Sequence, residues 1–199
     1  CHLRQPGFEY KEDILSGTAS AAVGGFTSVA PMPNTNPVCD TPEKVRELLA
    51  QPAHVQLLPI ASITKKMEGK ELTNLRELHE AGAVAVSDDG KPVADSALMR
   101  AALEEAHLTK MAVVSHCEDP YLGAGGGMNE GALARRLGYK GISAAAEEIM
   151  IARELLLART TGMPVHIAHV STAVGVELIR FAKQNRVRVT AETCPHYFS

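Results

Sequence analysis

The chain is 199 residues long, and its 20 lysines and arginines against 23 acidic residues leave a formal charge of −3, so it offers no basic face to a nucleic acid or other polyanion. With 45% apolar and 22% charged residues and no low-complexity tract, it can bury a sizeable core, which excludes disorder and collagen-like architecture. No apolar run reaches the roughly 20 residues a membrane-spanning helix needs, and Cys1-His2-Leu3-Arg4 lacks a signal-peptide layout, so the expected compartment is the cytoplasm.

The chain opens without Met on a His-x-Arg-x-Pro-Gly string, where His2 and Arg4, two positions apart, project together from whatever element carries them. β-type runs then follow at Phe26 to Pro31, Val55 to Ile60, Ala83 to Ser87 and Ala112 to Ser115, with starts separated by 29, 28 and 29 residues. Each gap has room for one helix. Helical periodicity is present at Val45-Leu48-Leu49 behind Thr41-Pro42, and at Leu98-Ala102-Leu103-Ala106 behind Asp95. The next run, Val165 to His169, starts 53 residues later, because a glycine-rich stretch (Gly123 to Gly131) precedes a helix expected over Ser143 to Arg159. The last run, Val187 to Ala191, follows after 22. Alternating strands and helices at a fixed period predict βα units on a parallel sheet. Six units against the roughly 250 residues of a complete (β/α)8 barrel predict a barrel present only in part, a fragment of a longer polypeptide. A doubly wound open sheet is the alternative. It calls for a phosphate loop, and Gly123-Ala124-Gly125-Gly126-Gly127-Met128 matches neither common spacing, so those glycines are read as a loop.

Metal-competent side chains collect at strand ends, where barrel enzymes build their sites. Asp88-Asp89, His116 and His169 close three successive runs, which points to a shared metal site. The four cysteines (Cys1, Cys39, Cys117, Cys194) are scattered without a CxxC pair, so such a metal has to be held by His and carboxylate. Strand alternation turns His166 and His169 to different faces and favours His169, which lies nearer the mouth. The same parity puts Val84, Val86 and Asp88 on one face and Asp89 on the other, favouring Asp89 while leaving Asp88 open. His54, His79 and His107 read as solvated or capping residues. His196, beyond the sixth strand, lines the mouth or sits in a loop. Cys117, facing away from its neighbour His116, is not expected to be a nucleophile.

The strings His2-Leu3-Arg4-Gln5-Pro6-Gly7, Pro31-Met32-Pro33-Asn34-Thr35-Asn36-Pro37, Ser87-Asp88-Asp89-Gly90, Ser115-His116-Cys117-Glu118 and His166-Ile167-Ala168-His169-Val170-Ser171-Thr172 resemble dihydroorotases of the bacterial long-chain type, within the amidohydrolase superfamily. The resemblance implies a single α/β domain over 1–199, an incomplete amidohydrolase-type (β/α)8 barrel lacking the start of strand 1 and all of strand 8. It implies zinc, one ion or two, and the reversible cyclisation of N-carbamoyl-L-aspartate to L-dihydroorotate in pyrimidine biosynthesis. By the same resemblance His2, Asp89, His116 and His169 are metal ligands, Asp89 in the bridging position, while Arg4 and Asn34 grip the substrate carboxylate. An Arg fork suits that task because it donates two parallel hydrogen bonds to a planar anion. The family's first His of the H-x-H pair and its strand 8 Asp, the general base, have no counterpart in these residues, so this stretch alone is expected to be inactive. Two alternatives stay open: a non-catalytic homologue scaffolding aspartate transcarbamoylase, and a hydantoinase- or allantoinase-type cyclic amidohydrolase. The partners implied are a small-molecule substrate, a homodimer or aspartate transcarbamoylase, with neither nucleic acid nor membrane.

Overall fold

In the computed structural model residues 1–197 are described, and they gather into two compact units that divide between Val113 and Val114. In the first, helix α1 (Ile14–Val23) begins at Asp13, whose carboxylate accepts from the Ser16 backbone N–H at 2.7 Å. Its run of Ser, Thr, Gly and Ala carries almost no apolar period, so only this capping box announces it. Strand β1 (Ser28–Val29), helix α2 (Pro42–Leu49) with proline in its first turn, and strand β2 (Gln56–Leu57) follow. Next come β3 (Ile60–Ala61), α3 (Leu75–Glu80), β4 (Ala85–Val86), α4 (Ser96–Leu108) and β5 (Ala112–Ser115).

The single run expected over Val55 to Ile60 is two strands with different partners. Pro59 has no N–H to give a ladder. Before it, β2 pairs in parallel with β1 (Ser28 opposite Gln56); after it, β3 pairs with β4 (Ile60 opposite Ala85). β4 in turn pairs with the first half of β5 (Ala85 opposite Ala112). These strand pairings are parallel, so the loops after β4 and β5 leave at the same end of the sheet, as expected. Leu3, Ile14 and Leu57 pack together in a core with Val29 and Leu48 against it.

The second unit pairs the other half of β5 with β8 (Val165–Ile167), Val114 opposite His166, and β8 with β9 (Val189–Ala191), Val165 opposite Val189. The glycine-rich stretch, expected to be a loop, carries the parallel pair β6 (Met128–Asn129) and β7 (Gly141–Ile142), with α5 (Ala132–Leu137) between. Glycine is required there by contact: a Cβ on Gly141 would stand 2.5 Å from the Glu130 Cα. Helix α6 (Ala144–Thr161) matches its expected position, with Ser143 before its first residue, and buries Ala146, Met150, Ile151, Leu155 and Ala158. Helix α7 (Ala173–Gln184) is capped by Thr172, whose hydroxyl accepts from the Gly175 N–H at 3.1 Å. Among the described residues no helix is long and apolar enough to cross a membrane.

Candidate metal and anion site

In the first unit the chemistry gathers where β4 ends. Asp88 and Asp89 are both buried but do different work. The Asp88 carboxylate accepts from the backbone N–H groups of Ile63 (2.8 Å) and Thr64 (3.1 Å) and from the Thr64 hydroxyl, so it stitches the turn after β3 to the end of β4. Burial pushes its carboxyl up to about 6, against the downward pull of those hydrogen bonds. Asp89 points elsewhere. Its Oδ2 accepts from Asn34 Nδ2 at 3.0 Å and lies 3.5 Å from His2 Nε2. Asn34 Oδ1 in turn meets His2 Nδ1 at 3.2 Å, so His2, Asn34 and Asp89 close a triangle. Burial holds the His2 imidazole below its ordinary range, opposed by the Asp89 carboxylate and seconded by the Arg4 charge. A neutral imidazole keeps the lone pair that a metal requires.

Because Asp88 satisfies two backbone donors inside the fold, Asp88→Ala is expected to cost about 2–4 kcal/mol of stability, the penalty for stranding buried N–H groups. Urea unfolding of the full-length protein measures it. Asp89→Ala, which removes the acceptor of the Asn34 amide, is expected to cost less, and equal losses would contradict this division of labour.

Arg4 has a left-handed backbone, φ 58°. It lines a cavity of about 200 Å³ with Leu3, Gln5, Met32, Thr35 and Lys44. Among the described residues no hydrogen bond or ion pair engages its guanidinium. Lys44, by contrast, is paired with Asp40.

In the second unit the two strand-end histidines meet: His116 Nδ1 lies 2.9 Å from His169 Nε2, with the rings edge to face at 4.8 Å between centroids. His169 has φ 37°, a strained conformation for a residue with a Cβ, of the kind that persists where surrounding structure imposes it. His166 faces away, its Nδ1 at 2.8 Å from the Thr190 hydroxyl. The two histidines are thus separated in the sense that strand parity anticipates. Cys117 is buried against Ser115, and burial raises its thiol to about 12, which removes it as a nucleophile at neutral pH. His79 and His107 sit exposed on α3 and α4, His54 is exposed, and His196 stacks edge to face with Tyr197.

His116 and His169 offer two imidazoles in the second unit, and Asp89 offers a carboxylate in the first; both are donor types that bind a divalent metal ion. Two residues behind these went unnoticed in the sequence. Glu147 on α6 takes hydrogen bonds from Ser171 and Thr172, just after His169. Glu154, fully buried on the same helix, accepts from the Ser115 hydroxyl at 3.1 Å and from Arg153, and burial raises its carboxyl. Both lie in an ordinary helical pattern whose partners are distant in sequence, so no local signal marks them.

A family model described as Dihydro-orotase-like matches residues 1–174. The chain is 57% identical over 201 aligned positions to the dihydroorotase of Acetivibrio thermocellus and 54% identical over 202 to that of Ruminiclostridium cellulolyticum. Each alignment takes in 100% of this chain and 47% of the relative, so the chain spans about half the length of the curated relatives it matches. Among solved structures, the L-hydantoinase (dihydropyrimidinase) from Arthrobacter aurescens superposes with a TM-score of 0.70 at 25% identity, covering 90% of this chain and 42% of that one. A D-hydantoinase from Bacillus sp. AR9 gives a TM-score of 0.74 at 23% identity, covering 100% and 46%. The fold class is thus an α/β barrel carried in part, as the strand spacing anticipated, and of the amidohydrolase type that the resemblance implied.

Proposed function

The chain belongs to the dihydro-orotase-like family, and on that premise we propose that it serves a zinc-dependent dihydroorotase, interconverting N-carbamoyl-L-aspartate and L-dihydroorotate in pyrimidine biosynthesis. The observation that carries the reading is the pair of strand-end histidines, His116 and His169, facing each other at 2.9 Å. Two imidazole nitrogens turned toward one point fit a cation that binds nitrogen, and zinc is such a cation. The ligands in this reading are His2 and Asp89 of the first unit and His116 and His169 of the second. When bound by such donors, zinc supplies an acidified water, with a pKa near about 7, and polarises a carbonyl oxygen.

The chain's own residues do the rest. Asn34 fixes His2 and Asp89 by donating to one and accepting from the other. Arg4, unengaged by other described side chains, is available to an anion, and a dihydroorotate carboxylate matches its fork. Asn34 stands within the same unit and could add a third hydrogen bond to that anion. Held this way, the ring is oriented before any bond breaks. In this reading residues 1–199 belong to one hydrolase domain working in the cytoplasm. Its candidate protein partners are a second copy of the chain and aspartate transcarbamoylase.

Arg4→Ala is the experiment that separates this reading from a hydantoinase or allantoinase. In the full-length protein it is expected to lower kcat/KM for dihydroorotate by roughly 10²-fold, the loss of a charge-assisted bond worth about 1.5–3 kcal/mol. Metal content should not change. An analogue lacking the carboxylate should lose little, and Arg4→Lys should rescue little, since an ammonium has no planar fork. Equal losses on both substrates would point to an uncharged cyclic ureide.

A further inference from the structure

We infer that Glu147 is a positioning residue for His169, acting through the Val170–Thr172 turn; the inference rests on reading His169 as a metal ligand. Glu147 lies in the first turn of α6, far in sequence from the turn it holds. Its carboxylate takes the Ser171 N–H on both oxygens (3.0 and 3.1 Å), the Thr172 N–H at 2.9 Å, the Thr172 hydroxyl at 2.9 Å and the Ser171 hydroxyl. Four donors converge on two oxygens.

The turn needs such a hold because His169 adopts φ 37°. Left-handed backbone at a residue with a Cβ relaxes unless both flanks are fixed. Immediately on either side of His169, Ala168 N–H donates to Ser115 O at 3.1 Å and Val170 N–H to Glu192 O at 2.8 Å. On the far flank, the fixed points are Ser171 and Thr172, and Glu147 fixes both. Thr172 also caps α7, so the carboxylate sits at the positive end of a 12-residue helix, where negative charge is favoured. Space is closed as well as charge matched: a Cβ on Gly175 would stand 2.8 Å from the Thr172 hydroxyl and 3.2 Å from Glu147 Oε1. With the backbone held on both sides, the His169 ring keeps its Nε2 toward His116.

Glu147→Gln keeps the shape but replaces one acceptor oxygen by an NH2 that faces donors. In the full-length protein it is expected to raise the Kd for Co(II) by roughly 10- to 100-fold, the range seen when partners behind metal-ligating residues are removed. It should also shift the visible Co(II) absorption, which reports ligand geometry. Val45→Ala, in the core of the first unit, serves as a control of comparable thermal destabilisation and should change neither. Wild-type Co(II) affinity and spectrum in Glu147→Gln, or changes matched by Val45→Ala, would overturn the inference. Unchanged Co(II) binding in His169→Ala would remove the ligand reading, and the inference with it.

Discussion

Replacing His169 or His116 by alanine in the full-length protein is expected to remove bound zinc and dihydroorotate turnover together, with activity falling by at least about 100-fold. Losing a partner that merely orients a ligand costs about 10–100-fold, so losing the ligand itself sets that range as a lower bound. The two substitutions should resemble each other closely, because each leaves the other imidazole without the nitrogen that it now faces at 2.9 Å. His166→Ala is the internal control. Its ring meets Thr190 on the neighbouring strand, so it should keep its metal. Zinc determined by mass spectrometry beside steady-state rates would decide the matter. Full zinc occupancy in both His116→Ala and His169→Ala would falsify the assignment.

Gly7→Ala is expected to be the most damaging single methyl in the first unit. Gly7 has φ 94°, and a Cβ built there lies 2.2 Å from the Asn36 carbonyl oxygen. That approach is fixed by the hydrogen bond from Asn36 N–H to Pro6 O at 2.9 Å, and the turn itself by Phe8 N–H to Arg4 O at 3.0 Å. The methyl would have to push apart the loop carrying His2 and Arg4 and the loop carrying Asn34. Positive φ alone costs about 1–2 kcal/mol, and the clash adds to it. A total of at least about 2 kcal/mol corresponds to a fall in Tm of about 4–8 °C for a domain of this size. KM for dihydroorotate should rise with it, roughly 10-fold or more, because Arg4 moves with the loop. A variant melting like wild type would show that these loops do not depend on each other.

The elements around these positions show how far sequence pattern reaches. β5 runs over Ala112–Ser115, as its apolar run indicates, and α4 begins behind Asp95, whose carboxylate accepts from the Ala97 and Leu98 N–H groups. Strand alternation turns His166 from His169 and Asp88 from Asp89, and in the structure the members of each pair meet different partners. Other features left no periodic trace. Helix α1 is built of small residues, so its burial of Ile14 and Thr18 shows no amphipathic stripe. Pro59 was legible as a proline but not as the point where one run changes neighbours. Glu147 could not be read at all, because its partners lie 24 and 25 positions away and only folding brings them to it. Asn34 was legible as an amide suited to a carboxylate but not as the link between His2 and Asp89, which only folding brings within its reach.

That engagement of Asn34 fixes a proton. An amide oxygen cannot donate, so with Asn34 Oδ1 against His2 Nδ1, the neutral imidazole must carry its hydrogen on Nδ1. Nε2 is then the basic nitrogen, and it is the one turned toward Asp89, 3.5 Å away. One uncharged side chain thereby selects a single tautomer of His2. Asn34→Asp would keep size and shape but set a carboxylate oxygen against Asp89 Oδ2 in place of the amide that now donates to it at 3.0 Å, so the same outline would meet Asp89 with repulsion instead of a hydrogen bond.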